Sequence, residues 1–152
     1  MSAGVWVLIV AVVGALGFGL FRALTDGRFR GTHQIHGAEG APQAVPAVDS
    51  VLTGTPWAEQ LGDRATLLQF SSAFCAPCRA ARRVLGDAAA ATPGVAHIEV
   101  DAEQHLDVVR RLGILRTPTT IVLSAGGVEV TRATGAPTRQ QVLTALDAAV
   151  EA

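Results

Sequence analysis

Lysine is absent from this chain of 152 residues, and all twelve of its basic residues are arginine. Chemistry that needs a lysine amine, such as Schiff-base formation, is therefore excluded. Cysteine is scarce, because the chain contains only Cys75 and Cys78. Two cysteines in one motif give no framework of structural disulfides and do not indicate the redox compartment. The formal net charge of −1 gives no excess of positive charge for binding nucleic acid, so no nucleic-acid partner is expected.

The two cysteines lie at a predicted junction between a strand and a helix. The apolar run at residues 66–70 predicts a buried strand before them. Pro77 suits the first turn of a helix, and small or apolar residues then recur at helical spacing until Pro93. Helix N–H groups and the positive end of the helix dipole would favour the thiolate of Cys75. Cys78, about one turn further on, could attack a mixed disulfide formed at Cys75. This placement indicates redox chemistry.

The segment of residues 3–21 is apolar and contains no charged residue. As a helix it would be about 28 Å long, which is enough to cross the hydrocarbon core of a membrane. A cleaved signal peptide is the competing interpretation. It fits less well, because no Lys or Arg precedes the segment and no small-residue cleavage site follows it. We therefore predict one transmembrane helix within residues 1–24.

The arginines near this helix predict its orientation. Arg22, Arg28 and Arg30 follow the apolar segment closely, whereas the N-terminal flank has no basic residue. The positive-inside rule then places the C-terminal side in the cytoplasm, with the N-terminus outside. An extracytoplasmic location of the C-terminal part is the alternative.

Residues 25–48 are rich in glycine, proline and alanine and have few large apolar side chains. This composition predicts a flexible linker between the helix and a folded domain. His33 and His36 lie in the linker. Two linker histidines make at best a weak metal site, so no metal site is predicted.

Residues 49–152 alternate between strand and helix patterns, which predicts an α/β domain. We expect a short helix at 57–61, a strand at 66–71, a second strand at 95–100 and a helix at 102–112. Strands at 119–124 and 128–134 are expected to form a hairpin. A last helix should run from a Thr138–Gln141 capping box to about residue 150. This order predicts a mixed central sheet with helices on both faces.

Two motifs resemble those of the thioredoxin family. The motif around the cysteines, Phe74-Cys75-Ala76-Pro77-Cys78, resembles its active site, and residues 113–119 resemble its cis-proline loop. The resemblance covers the chain from about Ser50 onward and implies a thioredoxin-like fold. It implies an exposed nucleophile at Cys75, a resolving thiol at Cys78, a cis peptide bond at Pro118, and pairing of the Thr117 backbone with a substrate strand. It implies no cofactor.

Several residues depart from the family pattern: Phe74 and Ala76 replace the tryptophan and glycine that are common in the motif. Gln69 stands where the family has a buried acid that helps to move the proton of the resolving cysteine, and glutamine cannot ionise. Ser71 stands where a further tryptophan is common, and His97 where a lysine is usual. One hypothesis is that His97, with Gln69, takes over proton transfer to or from Cys78, because imidazole titrates near neutral pH. The alternative is a histidine with a purely structural role.

These observations predict a membrane-tethered thiol–disulfide oxidoreductase that acts as a reductase, since the cytoplasm keeps thiols reduced. Its expected partners are a disulfide-containing protein or a low-molecular-weight thiol substrate, and an upstream dithiol donor. Two alternatives remain open at this point. One is an extracytoplasmic thioredoxin-like protein that serves cytochrome maturation or envelope disulfides. The other is a CxxC module that binds a metal ion or sulfur.

Overall fold

The computed structural model describes residues 3–25, 30–31 and 49–151, which form four helices and five strands. In chain order these are α1 (Ala3–Thr25), β1 (Arg30–Gly31), β2 (Ala65–Ser71), α2 (Ala76–Ala91), β3 (Val95–Asp101), α3 (Leu106–Arg111), β4 (Thr119–Ser124), β5 (Glu129–Thr134) and α4 (Arg139–Val150). From β2 onward the elements follow the predicted order, with β4 and β5 forming the predicted hairpin before α4.

The five strands form one mixed sheet in the order β1, β5, β4, β2 and β3. Strands β2 and β3 are parallel and pair from Ala65 opposite Val95 to Ser71 opposite Asp101, whereas the other neighbouring strands are antiparallel. Parallel neighbours need a long crossover connection, and α2 provides it between β2 and β3. The carboxyl end of β2 therefore leads to the beginning of α2, where the cysteine pair lies.

Apolar clusters cover both faces of the sheet. On one face, Leu67 of β2 packs with Leu85 of α2 and with apolar residues of β4 and α4. On the other face, Phe70 and Ile121 pack with Val108 of α3. Successive side chains of a strand point to opposite faces, so the burial of every residue of β2 requires cover on both sides. The predicted fold class, a mixed sheet with helices on both faces, is confirmed.

Two helices begin at the residues that the sequence indicated. Helix α2 has Cys75 as its N-cap and Pro77 in its first turn, where a missing N–H breaks no helical hydrogen bond. Helix α4 begins with the predicted capping box. Thr138 Oγ1 accepts a hydrogen bond from Gln141 N, and Gln141 Oε1 accepts one from Thr138 N. Both caps satisfy N–H groups that the helix itself leaves unpaired.

The short helix predicted at residues 57–61 is wrong. Residues 51–59 form successive turns instead. Their backbone hydrogen bonds reach back three residues, as from Ala58 N to Thr55 O. Thr55 Oγ1 also donates to Leu52 O at 2.7 Å, and such local side-chain bonds compete with helical bonding.

The helix predicted at residues 102–112 is shorter than expected and comprises only α3. Asp101, the last residue of β3, accepts hydrogen bonds through its carboxylate from Glu103 N and from Gln104 Nε2, each at 2.9 Å. These bonds close a turn immediately after the strand, so the helix begins several residues later.

The N-terminal helix α1 contains an apolar stretch, Gly4–Phe21, whose length and composition would allow it to cross a membrane. None of this stretch is buried against the rest of the protein. A signal sequence near the N-terminus can have the same length and composition. The membrane span and the boundaries of the predicted helix, linker and α/β domain therefore stay predictions.

Part of the predicted linker is described. Arg30 and Gly31 form β1, which lies at one edge of the sheet and pairs with β5. Residues 26–29 and 32–48 lie outside the described residues, and with them the two linker histidines, His33 and His36.

Candidate active site

The cysteine pair lies where α2 begins, a few residues after β2 ends. Cys75 and Cys78 form a disulfide, and their Cα atoms are 5.2 Å apart. Cys75 is the N-cap residue of α2, and its Sγ accepts a hydrogen bond from the backbone N of Cys78 at 3.1 Å. In the reduced protein, an N–H group in this position and the positive end of the helix dipole stabilise a thiolate at Cys75. The predicted junction between strand and helix is confirmed.

The two cysteines differ in exposure. Cys78 is only 2% exposed, whereas Cys75 is half-buried. The other residues of the motif, Phe74, Ala76 and Pro77, are exposed. A partner can therefore reach Cys75 much more easily than Cys78. This difference fits initial attack by one sulfur and resolution by the other.

The loop that precedes β4 is joined to the loop that carries the cysteines. Its Thr117–Pro118 peptide bond is cis, as predicted. Thr117 Oγ1 lies 3.0 Å from Ser72 Oγ, at hydrogen-bond distance. Pro118 is buried, and its carbonyl oxygen accepts a hydrogen bond from Gly135 N. Within the described part of the chain, the backbone N–H and C=O of Thr117 have no backbone partner. Both groups are therefore free to bond to an extended peptide.

Two large apolar side chains project from these loops into solvent. Phe74 is 99% exposed and Leu115 is 95% exposed. Apolar side chains that stay in water next to a reactive group are typical of a surface that binds a partner. Sequence reasoning missed Leu115. The available signal was the pair Ile114 and Leu115 in one short loop, of which only Ile114 is buried.

Gln69, fully buried on β2, connects the first turn of α2 with β3. Its Nε2 donates to the backbone O of Cys78 at 3.0 Å and to Ser71 Oγ at 2.9 Å. Its Oε1 lies 3.1 Å from His97 Nε2. An amide oxygen only accepts hydrogen bonds, so His97 Nε2 carries the hydrogen in this contact. The structure brings Gln69 and His97 together, but Gln69 contacts the carbonyl oxygen of Cys78 and not its sulfur.

A second set of polar contacts continues from Ser71 to the surface. Ser71 Oγ donates to Glu99 Oε1 at 2.6 Å, and the guanidinium of Arg82 on α2 binds both carboxylate oxygens of Glu99 at 2.6 Å. Sequence reasoning missed the roles of these three residues. Two signals were available. His97 and Glu99 are two residues apart on one strand and so face the same side, and Arg82 lies about one helical turn after Cys78.

Burial and charge determine the protonation of His97 and Glu99 on β3. Partial burial lowers the pKa of His97; Glu99 opposes this effect, and the positive charge of Arg82 adds to it. Partial burial alone would raise the pKa of Glu99, but hydrogen bonds from Arg82 and Ser71 and the charge of Arg82 outweigh it and lower that pKa. At neutral pH His97 is therefore an uncharged donor to Gln69, and Glu99 is a carboxylate.

A cavity of about 360 Å³ opens beside the cysteine pair. Cys75, Cys78, Ser71 and Glu99 form part of its wall. This volume is within the range of small-molecule sites in proteins. Among residues 3–25, 30–31 and 49–151, no group of three or more His, Cys, Asp or Glu side chains is placed to hold a metal ion.

This geometry defines a redox-active dithiol at a helix N-terminus, and comparison with known proteins supplies the family. Residues 49–148 match the family model for thioredoxin. Thioredoxin H2-1 from Oryza sativa subsp. japonica is 33% identical over 106 residues, which cover 66% of this chain and 73% of that relative. The chain belongs to the thioredoxin family. With its Cys75–Cys78 pair it is a thiol–disulfide oxidoreductase.

Solved thioredoxin structures share the fold. The thioredoxin of Fasciola hepatica matches with a TM-score of 0.53 and 24% identity, covering 61% of this chain and 86% of that one. NaTrxh from Nicotiana alata matches with a TM-score of 0.51 and 24% identity, covering 57% and 75%. A mutant thioredoxin from Halobacterium salinarum NRC-1 matches with a TM-score of 0.54 and 18% identity, covering 59% and 78%. The predicted thioredoxin-like fold is confirmed.

Proposed function

We propose that this protein is a membrane-tethered reductase of disulfides. The Cys75 thiolate attacks a substrate disulfide, forms a mixed disulfide and releases one substrate thiolate. The Cys78 thiolate then attacks Cys75 Sγ, which releases the second substrate thiolate and leaves the Cys75–Cys78 disulfide. Two electrons thus pass from the pair to the substrate. An upstream dithiol donor reduces the pair again by the same exchange.

The observation that carries this proposal is the asymmetry between the two cysteines. Cys75 is accessible and its sulfur accepts a helix N–H, whereas Cys78 is 2% exposed. Such an arrangement supports a nucleophile that meets the substrate and a thiol that acts only on the mixed disulfide. The experiment that tests the function is reduction of insulin disulfides by the unmodified chain and by its Cys75→Ser and Cys78→Ser variants.

A protein substrate would lie across the two joined loops. The free backbone groups of Thr117, next to the buried Pro118, would pair with an extended segment on one side of its disulfide. The exposed side chains of Phe74 and Leu115 would bury apolar surface against the same substrate. These contacts would hold the substrate sulfur close to Cys75.

We propose that His97 influences the acid–base chemistry of Cys78 indirectly. His97 contacts Gln69, and Gln69 contacts the backbone carbonyl of Cys78, so no direct transfer of a proton between imidazole and thiol follows from these distances. His97 therefore acts as a positioning residue whose charge changes with pH near the resolving thiol.

Replacing His97 by alanine should change the pH dependence of disulfide reduction. Because the pKa of His97 is lowered from 6.5, the wild-type profile should change below that pH, and the His97→Ala profile should lack this step. The free energy of unfolding gives a second readout. The unfolded chain binds the His97 proton more readily, so wild-type stability falls as pH drops through about 6.5, and this part of the decline disappears in the variant.

A matched control for that comparison is His105→Ala, which removes a histidine whose ring packs against Trp57. Within the described residues, His105 is not among the hydrogen-bond partners of the Gln69 side chain. Rates and denaturant midpoints would be measured for all three proteins from pH 5 to pH 8. Identical pH profiles for the wild type and His97→Ala would show that His97 is only structural.

The proposed membrane span is helix α1, and its orientation across the membrane is argued from the charges that flank it. The apolar stretch Gly4–Phe21 is long enough to span a membrane, and basic residues follow it but do not precede it. These features support a helix with its N-terminus outside and the thioredoxin domain in the cytoplasm. A cytoplasmic location also supports the reducing direction of the reaction.

A membrane-impermeant maleimide, applied to intact cells under reducing conditions, should leave Cys75 unlabelled until the cells are lysed. A matched control is Ser2→Cys in a chain that carries Cys75→Ser and Cys78→Ser; it should label without lysis. Labelling of Cys75 in intact cells would overturn the cytoplasmic assignment and support the extracytoplasmic alternative. Recovery of the chain in the soluble fraction without its first residues would instead indicate a cleaved signal peptide.

A further inference from the structure

The cavity beside the cysteine pair has a polar wall that the reaction described above does not use. Its volume is about 360 Å³, and the small side chains of Ser71 and Ser72 contribute to its wall. Both cysteines also belong to that wall, so a molecule in the cavity would lie next to the reactive sulfurs. A space of this size suits a molecule of one or two amino-acid units rather than a folded protein.

The charged side chains around the cavity do not all neutralise one another. Arg82 and Glu99 form an ion pair within the wall. Arg79, in the first turn of α2, has no ion-pair partner among the described residues. Asp101, at the end of β3, accepts hydrogen bonds only from an amide and a backbone N–H, and no cation of the described chain pairs with it. The cavity therefore presents one uncompensated positive charge and one uncompensated negative charge.

We infer that the cavity is a subsite for small zwitterionic disulfides, meaning amino-acid or short-peptide disulfides with a free ammonium and a free carboxylate. The inference rests on the proposed reductase function and names a substrate class for it. The substrate carboxylate would bind Arg79 and its ammonium would bind Asp101, since each is the one charge of its sign that is left unpaired. The substrate disulfide would then lie against Cys75.

The chemical step is the exchange already described, with a small disulfide as oxidant. The Cys75 thiolate displaces one thiolate of the small disulfide and forms a mixed disulfide. Cys78 then displaces the second thiolate, so that one disulfide becomes two thiols and the cysteine pair becomes oxidised. A protein substrate would meet the same sulfur from the side of Thr117 and Leu115.

Four small disulfides of different charge test the inference on the unmodified protein. Cystine carries both charges, cystamine only positive charge, dithiodipropionate only negative charge, and hydroxyethyl disulfide none. Each rate constant for oxidising the reduced protein is divided by the rate constant of the same disulfide with free dithiothreitol, which removes differences in leaving-group reactivity. The normalised rate for cystine should exceed that of hydroxyethyl disulfide by about tenfold, the combined size of two partly exposed ionic contacts. It should exceed those of cystamine and dithiodipropionate by about threefold, because each of these can make one of the two contacts.

Substitutions at the two unpaired charges locate the preference. Arg79→Gln and Asp101→Asn should each lower the normalised rate for cystine by about threefold and change the rate for hydroxyethyl disulfide little. Asparagine at position 101 keeps one oxygen, which can still accept the hydrogen bond from Glu103 N that closes the local turn. Arg83→Gln is the matched control, because Arg83 is exposed on the same helix and lies outside the wall of the cavity.

The outcomes separate the subsite from the function on which it rests. Equal normalised rates for all four disulfides, with insulin still reduced, would overturn the subsite and leave the reductase intact. A preference for cystine that survives both substitutions would also overturn the assignment to Arg79 and Asp101. Failure to react with any small disulfide and with insulin would overturn the reductase itself.

Discussion

The Cys78→Ser variant should retain its substrate as a covalent mixed disulfide at Cys75. Cys75 keeps its accessible position in this variant, and the backbone N–H of residue 78 that bonds its sulfur is unchanged by the substitution. Without a thiol at position 78, nothing within the pair displaces the bound substrate. Adducts should therefore accumulate in cells that express the variant. Non-reducing electrophoresis would detect them, dithiothreitol would release them, and mass spectrometry would identify the partner.

The Cys75→Ser variant is the matched control for this experiment. Its rate of insulin reduction should fall by at least about a thousandfold, the scale on which loss of a catalytic nucleophile acts. It should also form no adduct, because Cys78 is 2% exposed and poorly placed to attack a substrate. Serine is close to cysteine in size, so the core should be preserved. Adducts on Cys78, or insulin reduction at the wild-type rate, would contradict the order of attack.

Local signals in the sequence account for most of the fold. Pro77 after a buried strand marks the beginning of α2, and the capping box at Thr138 marks that of α4, because each signal depends on a few neighbouring residues. The turns at residues 51–59 show the limit of such signals. A short segment offers too few periodic positions to distinguish a helix from consecutive turns, and the side-chain bond of Thr55 decides between them.

The polar contacts around Cys78 could be predicted only in part. Gln69 and His97 were identified through the family resemblance, whereas the bridge through Ser71 to Glu99 was not. These side chains meet because β2 and β3 are parallel with Gln69 opposite Glu99, and that register depends on packing of the whole crossover helix. The ion pair of Glu99 with Arg82 likewise requires α2 to lie on the sheet. No pattern of neighbouring residues specifies either contact.

Gln69→Glu should destabilise the protein by about 3 to 5 kcal/mol at neutral pH, the cost of a buried charge whose partners are lost. The amide nitrogen of Gln69 donates to Ser71 Oγ and to the carbonyl oxygen of Cys78. A carboxylate of nearly the same shape has no hydrogen to donate, so two acceptors would face each other at Cys78. The site is fully buried, which disfavours the charged form and raises the pKa of the new carboxyl above its unfolded value.

The sign of that shift predicts how the loss depends on pH. A group whose folded pKa is raised binds its proton more tightly in the folded state, so folding is favoured at low pH and this contribution disappears as pH rises through the folded pKa. The variant should therefore approach wild-type stability near pH 5 and fall furthest behind near pH 8, measured from urea unfolding.

Gln69→Leu is the control for this comparison. It loses the same hydrogen bonds, with a cost of about 1 to 3 kcal/mol for each buried group left unpaired, but it adds no titrating group. If the deficit of Gln69→Glu were equal at both pH values, the donor role of the Gln69 amide, and not the buried charge, would account for the loss. That result would contradict the prediction that this position holds a carboxyl only in its protonated form.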